Sequence, residues 1–136
     1  MAQSQSDGVQ DAVSLEIDAP SLVRSGRVIP IALRLRNRTA QPVTLQLMGR
    51  TMTFDIVVRD QSGREVFRLL KDRATAAILR LERLNGSEVR EMLYRWDQHT
   101  DDGRQTRPGE YTIAALLPTD AEPIRSSAVP LRILPR

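Results

Sequence analysis

The stretch Ile29-Pro30-Ile31-Ala32-Leu33-Arg34-Leu35-Arg36 decides the fold. Its large apolar residues fall at every second position, the period of a strand with one buried face and one wet face. On a helix, strict alternation would spread those residues around the whole circumference and leave no coherent apolar side. Pro30 has no N–H to give, so the strand is expected to have a free edge there or a bulge.

The same period recurs outward from this stretch. Val13, Leu15 and Ile17 alternate with Ser14, Glu16 and Asp18, and the turn signals Ala19-Pro20 and Ser25-Gly26 follow. On the other side, the polar run Asn37 to Pro42 leads to Val43, Leu45 and Leu47. Met52, Phe54, Ile56 and Val58 come next, and Asp60-Gln61-Ser62-Gly63 reads as a hairpin connection into Glu65 to Leu70. Lys71 to Arg83 is the least regular part: Ala74, Ala76 and Ala77 favour a helical turn, whereas Leu79 and Leu81 alternate as a strand ending near Leu84. Asn85-Gly86 is a turn signal, followed by Met92, Tyr94 and Trp96. A polar loop, Asp97 to Gly109, precedes Tyr111 to Leu117. A second loop, Pro118 to Ser127, precedes Val129, Leu131 and Ile133. About eight strands with no long helix predict a sandwich or barrel.

A chain of 136 residues and 15.3 kDa reads as one domain. Residues 1–11 are a polar, flexible tail and residues 12–136 the domain. Folding is expected to reduce an unfolded surface of roughly 22,000 Å² to about 7,000 Å². That is enough core to stand without staples, and cysteine is absent, which removes disulfides, thiolate metal sites and cysteine nucleophiles. No apolar run is long enough to span a bilayer, and residues 1–13 lack the basic start and apolar stretch of a signal peptide. Nineteen arginines and the single Lys71 give a net charge of +3 and a pI of about 10.1. The arginines are spread along the chain, and only five aromatics accompany them, so the pattern reads as wet strand faces rather than a nucleic-acid stripe.

Individual residues carry structural readings. Pro108-Gly109-Glu110-Tyr111 opens a strand, and the Tyr111 hydroxyl can fold back onto the turn as a tyrosine corner, a device of Greek-key sandwiches. Trp96 is expected between the sheets, and Asp97 and Asn37 as turn-formers. Asp97, Asp101 and Asp102 lack the ligand spacing of a calcium loop. His99 has no neighbours for a zinc site and no nucleophile elbow for a serine triad. No phosphate-cradling glycine motif is present. We expect no catalytic residues, no metal and no cofactor.

Three ordered segments carry a resemblance: N-R-T-A-Q-P-V-T-L (Asn37 to Leu45), F-D-I-V-V-R-D-Q-S-G-R-E-V-F (Phe54 to Phe67) and W-D-Q-H-T-D-D-G-R-Q-T-R-P-G-E-Y-T (Trp96 to Thr112). Together they resemble the BsuPI family, the intracellular proteinase inhibitors of bacilli and related bacterial domains. The resemblance covers roughly Ile29 to Leu117. It implies an immunoglobulin-like antiparallel β-sandwich with Greek-key connections, and a protein partner that is a serine protease of the subtilisin type. The third segment is also similar to the immunoglobulin-like domain of flagellar hook-capping proteins. This chain departs from the family's V-W-x-W and L-x-P-G-E patterns at Val66-Phe67-Arg68-Leu69 and at Leu84-Asn85-Gly86-Ser87-Glu88.

Two functions compete. The first is a non-catalytic protein-binding module, a cytoplasmic proteinase inhibitor, present as a monomer or weak dimer, with no nucleic acid and no membrane span. The second is an exported or cell-envelope immunoglobulin-like structural or interaction domain. Inhibitors present loops to a cleft, and the candidates are Lys71 to Ala77, His99 to Arg107 and Pro118 to Ser127. Arg104 and Arg107, with Arg125, suit an acidic pocket. Subtilisin-type clefts prefer apolar side chains, which favours the segment with Leu69, Leu70, Lys71, Ala76 and Ile78.

Overall fold

The computed structural model describes residues 11–49, 52–71 and 78–136. Residues 1–10 of the expected tail (1–11), the helical turn through Ala74 to Ala77 and the candidate contact residue Ala76 fall outside them. The named elements among the described residues are all strands: β1 (Val13–Asp18), β2 (Leu22–Arg24), β3 (Ile29–Asn37), β4 (Val43–Met48), β5 (Asp55–Asp60), β6 (Glu65–Arg68), β7 (Leu79–Leu84), β8 (Val89–Trp96), β9 (Gly109–Leu117), β10 (Ile124–Arg125) and β11 (Val129–Leu134).

The strands form an immunoglobulin-like β-sandwich. One layer has the order β1-β3-β8 and the facing layer the order β2-β11-β9-β5-β6, with β10 paired to β9 and a separate β4-β7 pair. The deciding stretch became the middle strand of the first layer. Ile29, Ile31, Leu33 and Leu35 are buried, and the residues between them face outward. There Arg36 forms a two-pronged bond with Glu16 (3.2 and 3.3 Å), and Arg34 meets Glu91 at 3.5 Å. The β1 ladder stops with Asp18 opposite Ala32, so Pro30 has only β8 beside it, opposite Arg95, and its missing N–H costs no bond on the β1 side.

Across the core, Ile56 and Val58 of β5, Ile113 and Ala115 of β9, and Leu131 and Ile133 of β11 complete one continuous cluster. Each large side chain buried there contributes about 1.5–3 kcal/mol relative to exposure. Trp96, fully buried, sits among them with Phe67 at a ring separation of 5.4 Å.

Among the described residues, eleven strands stand where about eight were expected. The surplus is short. β2 lies within the stretch read as turns and runs parallel to β11, Leu22 opposite Arg132. β10 lies within the loop expected at Pro118 to Ser127, where Ile124 pairs with Leu117. A two- or three-residue strand is too brief to show a period, and only pairing creates it. The strand expected from Met52 starts at Asp55, and its partner ends at Arg68 rather than Leu70.

The turns behave as their residues dictate. Gly63 closes the β5–β6 hairpin at φ 87°. At Asn85-Gly86 the left-handed residue is Ser87, φ 62°, rather than the glycine. Gly86 is needed for a different reason: a Cβ there would lie 2.2 Å from the carbonyl oxygen of Ala40. The β7–β8 turn is therefore pressed against the β3–β4 turn. Asn37, buried to 1% exposure at the end of β3, bonds the two together. Its amide donates to the carbonyls of Gln41 (2.8 Å) and Asn85 (2.9 Å), and its oxygen accepts the backbone N–H and hydroxyl of Thr39.

Candidate functional site

The outer face of β5 carries Asp55, Val57 and Arg59, and β6 sets Arg68 opposite Val57 on that face. Arg68 therefore reaches Asp55. Its Nη1 lies 2.6 Å from Asp55 Oδ2, while its Nε and Nη2 donate to the two oxygens of Glu65 at 2.7 and 3.0 Å. These bonds, Glu65 first, hold the Arg68 guanidinium more firmly protonated than usual and push the Glu65 carboxyl below its ordinary range. The other oxygen of Asp55 accepts the backbone N–H groups of Ile56 (2.9 Å) and Leu70 (3.0 Å). A carboxylate that begins β5 thus fixes the chain leaving β6.

That chain is the start of the β6–β7 connection, and it is tied along its stem. The N–H of Leu69 donates to Ile56 and that of Lys71 to Arg68. At the far end, the carbonyl of Ile78 accepts the N–H of Gly49 at 2.9 Å, and Leu79 enters the β4 ladder opposite Met48.

A second loop leans on the same stem. Asp97 Oδ1 accepts the N–H of His99 (3.0 Å), and this bond is the chief cause of a carboxyl held below its usual range. The Trp96 indole N–H donates to the carbonyl of His99 at 3.0 Å. Gln98, fully buried at φ 66°, sends its amide N–H groups to the carbonyls of Arg24 and Arg27 and accepts the Thr106 hydroxyl. The loop so held presents Asp101 to β6. The Asp101 N–H donates to the Val66 carbonyl (3.0 Å), its Oδ1 accepts the Arg68 N–H (3.1 Å), and Oδ2 lies 3.8 Å from Lys71 Nζ. One residue thereby occupies backbone groups on the edge of β6 that a further strand would otherwise take. Farther on, the Tyr111 hydroxyl donates to the Arg107 carbonyl at 2.6 Å, the tyrosine-corner bond.

The candidate residues divide accordingly. Leu69 and Leu70 are half-buried on the tied stem, with Leu69 packed on the core, while Lys71 and Ile78 are exposed at the two ends of the connection. Arg104 and Arg107 are exposed on the second loop, and Arg104 lies 3.8 Å from Asp102. Asp101 brings Lys71 and the Arg104 loop together, a contact between two candidate segments that lie far apart in sequence. Arg125, on β10, lies in the segment folded against β9. Asp97 is bonded to the N–H of His99, Asp101 to β6, and Asp102 to the Thr100 hydroxyl, and among the described residues no cluster of His, Asp and Glu could hold a metal. The sequence reading passed over Asp55 and Gln98. An acidic residue opening an apolar strand, and an amide two positions after the lone Trp, were the signals on offer.

Comparison with known proteins adds a family and a fold. The model of the family described as BsuPI, intracellular proteinase inhibitor, matches residues 18–122. No curated protein matches the chain. Among solved structures, it is similar to the dimeric latent PorU of Porphyromonas gingivalis (TM-score 0.57, 16% identity) over 91% of this chain and 10% of that one. It is also similar to the alkylpurine DNA glycosylase AlkC of Pseudomonas fluorescens (TM-score 0.52, 13% identity) over 90% of this chain and 30% of that one. The CARDB domain of a Pyrococcus furiosus protein aligns with a TM-score of 0.49 and 13% identity, over 90% of this chain and 87% of that one. At these identities the likeness is one of fold. The chain spans a small part of the first two proteins and most of the CARDB domain.

Proposed function

We propose that this chain, which belongs to the BsuPI family of intracellular proteinase inhibitors, is a non-catalytic domain that binds a cytoplasmic serine protease of the subtilisin type through its β6–β7 connection. The observation that carries the reading is the bonding of both stems. The Leu69–Lys71 end is bonded to Ile56, Asp55 and Arg68, and the Ile78 end to Gly49 and β4. Stem residues already fixed on the sheets lose little freedom on binding, so more of their contact energy appears as affinity. The exposed Ile78 (42%) at its end and the adjoining Leu79 (51%), which opens β7, suit clefts that prefer apolar side chains.

Titration of subtilisin-type and trypsin-type proteases with the purified protein tests this. Stoichiometric inhibition of the subtilisin type is expected, weakened at least tenfold by Ile78→Asp. Degradation of the protein without inhibition would sink the reading.

A second reading, an exported or envelope interaction module, draws on the neighbours in which this fold is one part of a longer chain. Recovery of the native protein from the envelope fraction rather than the cytosol would favour it.

A further inference from the structure

We infer that the groove at the Asp60 end of the sandwich binds an extended peptide segment of a protein partner that carries spaced acidic side chains. Three adjoining hollows share Asp60 and Tyr111. The first, about 420 Å³, lies between the β5–β6 hairpin and the second loop and is lined by Arg64, Lys71, Arg104 and Arg107. The next, about 350 Å³, reaches Ser21, Pro130 and Arg132. The third joins them across Gln61 and Pro108. Because the sheet order is β2-β11-β9-β5-β6, this groove crosses the sheet from β6 to the start of β2. Four inter-strand steps amount to about 19 Å, the length of an extended peptide of about six residues.

The charges along it are unequally committed. Asp60 Oδ1 already accepts the N–H and hydroxyl of Ser62 and the N–H of Arg64, at 2.7 to 3.0 Å. Glu65 is held by Arg68, Asp101 by Arg68 and Lys71, and Asp102 by Thr100 and Arg104. By contrast, Arg64, Arg107 and Arg132 are exposed and make no ion pair among the described residues; of the carboxylates lining the groove, only Glu110, opposite Arg132 in the β9–β11 ladder, is likewise uncommitted. Three unpaired guanidiniums against one uncommitted carboxylate leave the spare capacity of the groove cationic on balance, and it comes at intervals. A guanidinium at the surface matches a carboxylate with two parallel bonds. A nucleic acid would bring a phosphate to every position, including those beside Asp60, Glu65 and Asp102, and would be repelled there. A peptide can place its acidic residues at the arginines and neutral ones at the carboxylates. The inference does not rest on the protease reading, because binding is measured with no protease present.

The test uses a fluorescent peptide of about ten residues alternating Glu and Ser, read by anisotropy at low salt. Saturable binding is expected, weakened about tenfold by the double variant Arg64→Glu, Arg107→Glu. The control, Arg83→Glu with Arg125→Glu, makes the same change in net charge elsewhere and is expected to bind as the parent does. Should the first pair lower the unfolding midpoint, Arg64→Gln with Arg107→Gln removes the charges without placing new anions beside Asp60. No binding, equal weakening by both pairs, or tighter binding of a single-stranded oligonucleotide of similar length would each overturn the inference.

Discussion

At the scale of single residues, buried polar groups decide more than the apolar ones around them. Asn37 is an amide with its donors and acceptor engaged, and it ties together two turns that sit between the β3–β8 and β4–β7 ladders. Replacing it with Ala would leave the carbonyls of Gln41 and Asn85 and the N–H of Thr39 without their partner. Unmade bonds at a buried position are costly, so Asn37→Ala should lower stability by about 2–3 kcal/mol in urea unfolding. A loss below about 0.5 kcal/mol would mean that the two turns hold each other without it. The sequence announced Asn37 as a turn-former and nothing more. The backbone it bonds at Asn85 comes from a turn 48 residues away, and no local pattern encodes such a partner.

At the scale of elements, legibility followed length. β3, β8, β9 and β11 were readable because six or more alternating residues leave one consistent buried face. Val57 is the exception. It points to the outer face of β5 yet is 3% exposed, on the face shared by Arg68 and its carboxylate partners. Alternation assumes that an outward face is wet, and a charged lid breaks the assumption. Likewise the β6–β7 connection was visible as a candidate loop, but not the Asp55 bond that secures it, because strand register is invisible in one dimension.

A second charged cluster links β7 to β8. Glu82 of β7 receives Arg90 of β8 and Arg80 of its own strand, and those hydrogen bonds, Arg90 first, hold its carboxyl below the ordinary value of 4.5. A carboxyl lowered by folding adds stability that is present above its unfolded pKa and lost as pH falls toward the folded one. Stability should therefore decline below about pH 4.5. Its partners are partly solvated, so Glu82 should account for about 1 kcal/mol of that decline. Unfolding curves of Glu82→Gln should show a correspondingly shallower decline, and an unchanged slope would place the acid sensitivity elsewhere.

At the scale of the whole molecule, the chain closes on itself late. β11 lies between β9 and β2, and β2 is only three residues long. The second layer cannot be completed until the last strand arrives, and contacts so distant in sequence make for slow folding. Refolding in stopped-flow experiments should be in the millisecond-to-second range, and microsecond folding would contradict this topology. Deleting residues 129–136 should leave no cooperative unfolding transition, since Leu131 and Ile133 are core residues and β9 would lose a neighbour along half its length.

The parallel pairing of β2 with β11 also has a mechanical side. β1 begins beside Asn37, at one pole of the sandwich, whereas β11 ends beside Arg24, at the other. Tension applied between the start of β1 and the end of β11 would run along the strands. The β1–β3 and β11–β2 ladders would then be loaded in shear, with their hydrogen bonds sharing the force instead of opening one after another like a zip. The domain is built to resist being pulled along its long axis.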